Sequence, residues 1–402
     1  MKQDLALKKL KGIKPKGVKT KTESKLGRLS SLCDEVNNSF SNPGTGNPGY
    51  THTNGYLPIF DHTKEKLSNF VFDEEDLKLF ITSRLNHDQD PLLTGLYSGA
   101  LLDLLTTRNR ESKIETNLTI EGDNQTFDFL FAFAKHADNL TLKNLKGNFI
   151  GCKIGSYEGD ANNLIAENIE GNNLFHMVGL VKGTINLVFA NNIKGDDALS
   201  QVGQSTGKIG SCIGANIEGK SPMEWLAFQN GRCNFAYGEN LVGESAFWNS
   251  ASMAGRVKTL IGKNIERGNM LNASAENSGK IGFAYIQNFK NGYFHGPKFD
   301  DYTTHVSLMV LEDAINKWDE DISQILKGGF LGDGYPDFKD SEKIRCKKEK
   351  SPEQYQELIN KYSIHKIRNI VNQMSYKDIP DLLVKAEQIN NIYKSLEGVL
   401  TE

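Results

Sequence analysis

A single interval constrains this chain more than anything else in it. An asparagine followed by an apolar residue stands at Asn144, Asn168, Asn192, Asn216, Asn240, Asn264 and Asn288, each 24 residues after the last. Three positions on, glycine follows at Gly147, Gly171, Gly195, Gly219 and Gly243, lapsing to Arg267 and Asn291. Fifteen positions on, glycine recurs in every complete unit, from Gly159 to Gly279. Eleven positions on, the residue is always small: Gly155, Gly179, Gly203, Ala227, Ala251 and Ala275. A fixed period with fixed columns marks a stack of identical supersecondary units, each burying its face against its neighbours.

The unit is extended rather than helical. It is rich in Asn, Gly, Ile, Val and Phe and poor in runs of good helix formers, and it lacks the LxxLxL core of leucine-rich repeats. Segments such as IAENI and IGANI alternate in polarity, as a strand does. A coil of this length is expected to hold about three short strands and three corners, with successive coils about 4.8 Å apart. Asparagine tolerates the left-handed conformation of a sharp corner, and a stacked amide both donates and accepts, so the column is expected to form a structural ladder. The two glycine columns are expected at the other corners, where φ is positive.

On these columns the sequence resembles the right-handed parallel β-helix class over about residues 113–296, with no particular family inside it. The expected architecture is an all-β parallel solenoid core with helical flanks. Four regions follow: 1–55, a basic arm with a Gly/Pro/Asn linker; 56–112, a helical N-terminal cap; 113–300, the β-helix; 301–402, a helical C-terminal region. Caps are needed because a solenoid otherwise exposes unpaired strand edges. Asp73 is placed to cap a helix over 74–85, and Pro91 opens a second, strongly apolar helix. After the repeats, Leu308, Leu311, Ile315, Trp318, Ile322 and Ile325 have the spacing of one helical face. Ser351 is placed to cap a further helix, and a last one is expected over about 380–396.

A net charge of −3 and 38% hydrophobic residues suit a water-soluble core, and no apolar run is long enough to span a bilayer. The N-terminus lacks the apolar stretch of a secretory signal. Five scattered cysteines without a CxxC pair fit reduced thiols in a cytoplasmic setting and argue against a cysteine metal site. No P-loop, GxGxxG or HExxH occurs, so neither a cofactor nor a metal is expected.

The register predicts which side chains stack. Eight positions past each asparagine lie Cys152, His176, Ser200, Glu224, Trp248 and Asn272. A thiol or hydroxyl beside an imidazole with a carboxylate beyond resembles nucleophile, base and orienter. A face of mixed polar residues is the plainer reading, because parallel side chains on stacked strands rarely converge. Asp196 and Asp197 follow the third repeat's corner and are the remaining acid candidates, as polysaccharide-acting β-helix enzymes work through carboxylates. The nearby aromatics Trp225, Phe228, Phe247 and Trp248 read either as packing or as a sugar- or base-stacking surface.

Basic residues carry the other signal. Residues 1–28 hold nine lysines and one arginine against Asp4 and Glu23, with Lys8, Lys9, Lys11, Lys14 and Lys16 the densest group. Sixteen positions past each asparagine, Lys208, Arg232, Arg256 and Lys280 form a column of four cations, which stacked coils would draw into a strip about 14 Å long. Such residues neutralise phosphates without reading bases. The leading expectation is therefore a non-catalytic solenoid that binds a macromolecular polyanion, RNA or a ribonucleoprotein, with no membrane partner. The alternatives are a polysaccharide-acting lyase or hydrolase, and an assembly scaffold. The helix, β-helix, helix layout resembles the scaffold family of iron–sulfur cluster assembly, although the C-terminal part offers only Cys346 and His365.

Overall fold

The computed structural model describes residues 24–40, 55–87, 90–271, 274–275, 277–294, 305–312, 324–327, 357 and 359–396. Among the described residues four helices come first: α1 (Lys25–Ser39), α2 (Leu57–Lys66), α3 (Glu74–Arg84) and α4 (Pro91–Glu111). Ten strands follow in one sheet whose spatial order is the chain order. They are β1 (Asn117–Thr126), β2 (His136–Lys146), β3 (Asp160–Glu170), β4 (Thr184–Lys194), β5 (Lys208–Glu218), β6 (Arg232–Val242), β7 (Arg256–Met270), β8 (Lys280–Phe294), β9 (His305–Glu312) and β10 (Gln324–Lys327). Helices α5 (Ile364–Gln373) and α6 (Ile379–Ser395) close the described chain. Strands β1 to β9 are all parallel, each pairing only with its sequence neighbours, so the chain is a parallel β-solenoid. From β2 to β8 residues exactly one repeat apart lie opposite one another, as Leu164 lies opposite Val188 and Val188 opposite Cys212.

Each coil contains one long strand rather than three short ones. The remainder alternates between left- and right-handed backbone: φ is positive at Asn173, Phe175, Met177, Gly179 and Val181, and at the matching residues of the neighbouring coils. The N–H groups of these residues point alternately up and down the axis. Phe175 donates to Ile150 of the preceding coil, Met177 to Ser200 of the next, Gly179 to Ile154 and Val181 to Gln204. These amides bond between coils without a β-ladder, which is why a strand-and-corner expectation missed it. Side chains then leave the backbone in pairs. Leu174, Phe175 and Val178 join the solenoid core, whereas His176 and Leu180 stay outside it.

The asparagine column sits where the strand turns. Asn144, Asn168, Asn192, Asn216, Asn240, Asn264 and Asn288 all have φ between 49 and 58°. Asn168 Nδ2 donates to Asn144 Oδ1 at 2.8 Å, and the same bond recurs from Asn192, Asn240, Asn264 and Asn288 to the residue one coil back. Asn216 departs, donating to Asn191 at 2.8 Å. The glycine column fifteen positions past asparagine has a different cause from the expected positive φ. A Cβ on Gly207 would lie 2.0 Å from the carbonyl oxygen of Gly179, so the wall there is backbone on backbone.

Helix α4 seals the first coil. Its Gly99 approaches so closely that a Cβ would meet the Ala132 carbonyl oxygen at 2.2 Å. Asp73 caps α3 through a reciprocal capping box with Asp76, as expected. Within the stretch expected to be arm and linker, residues 25–39 instead form α1, whose Leu29, Leu32, Cys33 and Val36 are buried in the same core. Ser24 caps it and Lys25 pairs with Asp76 at 2.5 Å. The lysines at 8, 9, 11, 14 and 16 lie outside the described residues, as do Ser351 and positions 315, 318 and 322.

The helix expected through Leu308, Leu311 and Ile325 is not formed: these residues lie in β9 and β10. Both faces of β9 are covered, with Leu311 in the solenoid core and Leu308 under the C-terminal helices, and two buried faces mimic helical spacing. Helices α5 and α6 lie over the outer face of the sheet. There Ile364, Ile367, Val371, Leu382 and Ile389 pack against outward residues from Leu187 to Val310. The final helix spans 379–395, close to the expected 380–396.

Candidate functional site

The four cations of the sequence column open strands β5, β6, β7 and β8. Lys208 pairs in register with Arg232, Arg232 with Arg256 and Arg256 with Lys280, so the backbone holds them in one straight row. All four are exposed. None makes an ion pair among the described residues, and the contrast with the rest of the solenoid is instructive. Lys143 meets Glu167 at 2.6 Å, Lys146 meets Glu170 at 2.9 Å, and Lys182 meets Glu158 at 2.9 Å, each across one coil. Lys220 and Lys263 reach Asp196 and Glu239 at 3.5 and 3.7 Å. Each of these five cations is answered by an acid in the adjacent coil. In this column the neighbour is another cation.

The row has a defined start. Toward the N-terminus the same column continues through Thr184 to Asp160 and His136. There Arg110, from the end of α4, forks between Asp138 at 2.7 Å and Asp160 at 2.6 Å, and His136 Nδ1 lies 2.5 Å from Asp160. Burial works against the Asp160 charge, yet the bonds from His136 and Arg110 hold its carboxyl down at about 2. A cleft of about 370 Å³ opens here, lined by Arg110, Lys113, Glu115, Asp138, Asp160 and Asn162 among others. Sequence spacing had no means of finding this network, since Arg110 and Asp160 lie fifty residues apart and meet only because α4 docks on the first coils.

The acid candidates separate into two roles. Asp196 belongs to a corner. Its N–H donates to Asn172 Oδ1 at 2.8 Å, and its Oδ1 accepts from the Lys220 N–H at 2.9 Å, repeating the bond from Asn172 to Asn148 at 3.0 Å. Asp197 and Glu224 lie in a small hydrogen-bonded group with Ser200 and Ser221. The Ser200 hydroxyl donates to Glu224 Oε1 at 3.3 Å, and Ser221 bonds both acids. Burial, then the charge of Asp197, pushes the Glu224 carboxyl up to about 7. Burial, then Asp196, raises Asp197.

The stacked thiol, imidazole and hydroxyl do not form a nucleophile–base pair. Ser200 is 0% exposed and turns to Glu224, while His176, 7% exposed, has a buried Nδ1 with no partner. Burial, with Lys153 adding to it, depresses the His176 imidazole to about 4, so it is neutral at pH 7. Burial pushes the Cys152 thiol up to about 12, far from a thiolate. Trp225 packs edge-on against Phe228 at 4.5 Å and Trp248 at 6.0 Å, an interlocked cluster rather than an open platform. His365 lies in α5, while Cys346 is outside the described residues, and no three His, Cys, Asp or Glu gather as metal ligands among those described.

No helix of the described residues is long and apolar enough to cross a membrane. Compared with known protein families, curated proteins and solved structures, the chain matches none.

Proposed function

We propose that this protein is a non-catalytic solenoid that binds a macromolecular polyanion along its outer wall, with RNA or a ribonucleoprotein as the favoured partner. One observation carries the reading: Lys208, Arg232, Arg256 and Lys280 stand exposed in adjacent coils with no acid opposite them. Four like charges at about 4.8 Å repel one another, a cost the fold accepts only where a counter-charge arrives from outside or salt screens them. The lysine-rich first 28 residues add cations of the same kind. Binding of a fluorescent polyanion, followed by anisotropy against salt, tests it. Affinity should fall steeply with salt, and Arg232→Glu with Arg256→Glu should weaken it at least tenfold. Affinity untouched by that double reversal would remove the strip from the reading.

A second reading rests on Asp197 and Glu224. A carboxyl held near 7 beside a second carboxyl suits acid–base work on a glycosidic bond. Glu224 is only 9% exposed, which leaves little room for a substrate. Release of sugar ends from a polysaccharide panel, lost in Glu224→Gln, would favour it.

A further inference from the structure

The surroundings of the cation row narrow the class of polyanion. Immediately before it along each coil runs the glycine column Gly207, Gly231, Gly255 and Gly279, and before that Thr206, Asn230, Ala254 and Ser278. The next outward position beyond the row holds Gly210, Asn234, Lys258 and Gly282. The row is thus a ridge of long cationic side chains, with small residues before it and beyond it a shelf that Lys258, a fifth cation, interrupts. The aromatic rings nearest to it on the strands, Phe235 and Phe283, are 3% and 0% exposed under the C-terminal helices, with Phe283 packed on Tyr393 at 6.2 Å. Surfaces that hold single-stranded nucleic acid combine a cationic track with open aromatic faces on which bases stack. The cationic track is present here, and the rings on its own strands are covered.

Length and rigidity point the same way. Three coil steps of about 4.8 Å give a row of about 14 Å. A double helix presents one phosphate per strand for every ~3.4 Å of its axis, so the row faces a run of about five phosphates of one strand with its four cations. The backbone under the row cannot bend to follow a flexible strand, because each of its four residues is held by parallel pairing on both sides. At the N-terminal end the column passes from Lys208 through the uncharged Thr184 to Asp160, a carboxylate bonded by Arg110 and His136.

From this we infer that the ridge takes the sugar–phosphate backbone of a double-helical nucleic acid, without reading sequence. The inference rests on the polyanion-binding reading and adds to it the form of the partner. Its test uses the full chain with three probes: a 20-base-pair RNA duplex, a second duplex of unrelated sequence, and the single strand of the first. The logarithm of affinity is measured against the logarithm of salt concentration, in the wild type and in Arg232→Ala/Arg256→Ala. A control, Lys146→Ala/Lys194→Ala, removes two cations away from the ridge.

Both duplexes should bind alike and more tightly than the single strand. The ridge variant should flatten the duplex salt slope by about 1.8, since each phosphate contact contributes about 0.9, and the control should leave it unchanged. The lysines of residues 1–28 contribute equally to each variant and cancel in the difference. A single strand that binds as tightly as the duplex, with the ridge variant still flattening the slope, overturns the double-helix inference and leaves the polyanion reading standing. Strong preference for one duplex sequence also overturns it. A duplex slope that the ridge variant does not change sinks both.

Discussion

Glu224 and His176 are buried on the same wall and resist charge in opposite directions, which makes stability against pH a test of the geometry there. The Glu224 carboxyl, ordinarily near 4.5, is raised to about 7. The folded chain therefore keeps a proton that the unfolded chain has lost. Its contribution is fully present below pH 4.5 and disappears as pH rises to about 7, a change of up to about 3 kcal/mol. The His176 imidazole, ordinarily near 6.5, is depressed to about 4. The unfolded chain takes up a proton that the folded chain refuses, so His176 costs stability as pH falls from 6.5 to 4, again by up to about 3 kcal/mol. Between pH 4.5 and 6.5 the two slopes cancel.

Glu224→Gln removes one side of that balance while leaving an amide oxygen to accept from Ser200. Relative to wild type, the variant should gain about 3 kcal/mol between pH 4.5 and 8, because the wild type must ionise or hold a proton against the solvent. On its own it should lose stability steeply below pH 6.5, driven by His176. His176→Gln should show the mirror image and become more stable toward acid. Urea unfolding followed by tryptophan fluorescence is the suitable assay, since Trp225 adjoins Glu224 in sequence and Trp248 stacks above it in the next coil, so both report this part of a quasi-linear array. A Glu224→Gln difference that stays flat from pH 4.5 to 8 would show that water reaches the carboxyl, and the buried acid group would have to be abandoned.

Three further perturbations test the wall itself. Gly219→Ala puts a Cβ 1.9 Å from the Gly195 carbonyl oxygen, so it should cost about 3 kcal/mol or more in urea unfolding, against under 1 kcal/mol if the coils can simply separate. Asn240→Ala removes amide bonds of 2.8 and 2.9 Å and places alanine at φ 56°, which should cost about 3 kcal/mol, with Asn240→Gly recovering about 1 kcal/mol by relieving the backbone. Equal losses in the two variants would mean that the backbone conformation carries no strain. Arg110→Ala leaves Asp138, 3% exposed, without its guanidinium and should lower stability by about 3 kcal/mol at pH 7, while Arg110→Lys should lose less. The part of the loss carried by Asp160, whose carboxyl the pair holds down at about 2, should fade as pH falls from about 4 toward 2.

Most of the fold is legible because identical coils write the same requirement several times over. The asparagine column was readable, as a left-handed corner admits few residue types, and the same type had to recur at each turn of the stack. The alternating backbone between strands was not readable. Its positive φ falls on Phe175, Met177, Leu199, Gln201 and Trp225, residues with no left-handed preference, and they accept the strain because each N–H finds a carbonyl in an adjacent coil. Strand β9 misled for a different reason: two buried faces erase the alternation that distinguishes a strand from a helix.

For the site, the repeat acts as a ruler along the axis and is blind across it. Lys208, Arg232, Arg256 and Lys280 were found because they share one column, and so was the Ser200–Glu224 contact. The link from Asp197 through Ser221 to Glu224 runs diagonally between columns. It depends on side chains leaving the backbone in pairs, which no periodicity encodes. What separates the cation row from the other charged columns is also a relation between neighbours. Along the wall Lys143 is followed by Glu167 and Lys146 by Glu170, so charge is settled within the fold one coil later. Where Lys208 is followed by Arg232, Arg256 and Lys280, the neutralising charge has to come from another molecule or from salt. That makes the order of charges along a column, more than their number, the feature of this sequence on which the proposed polyanion binding rests.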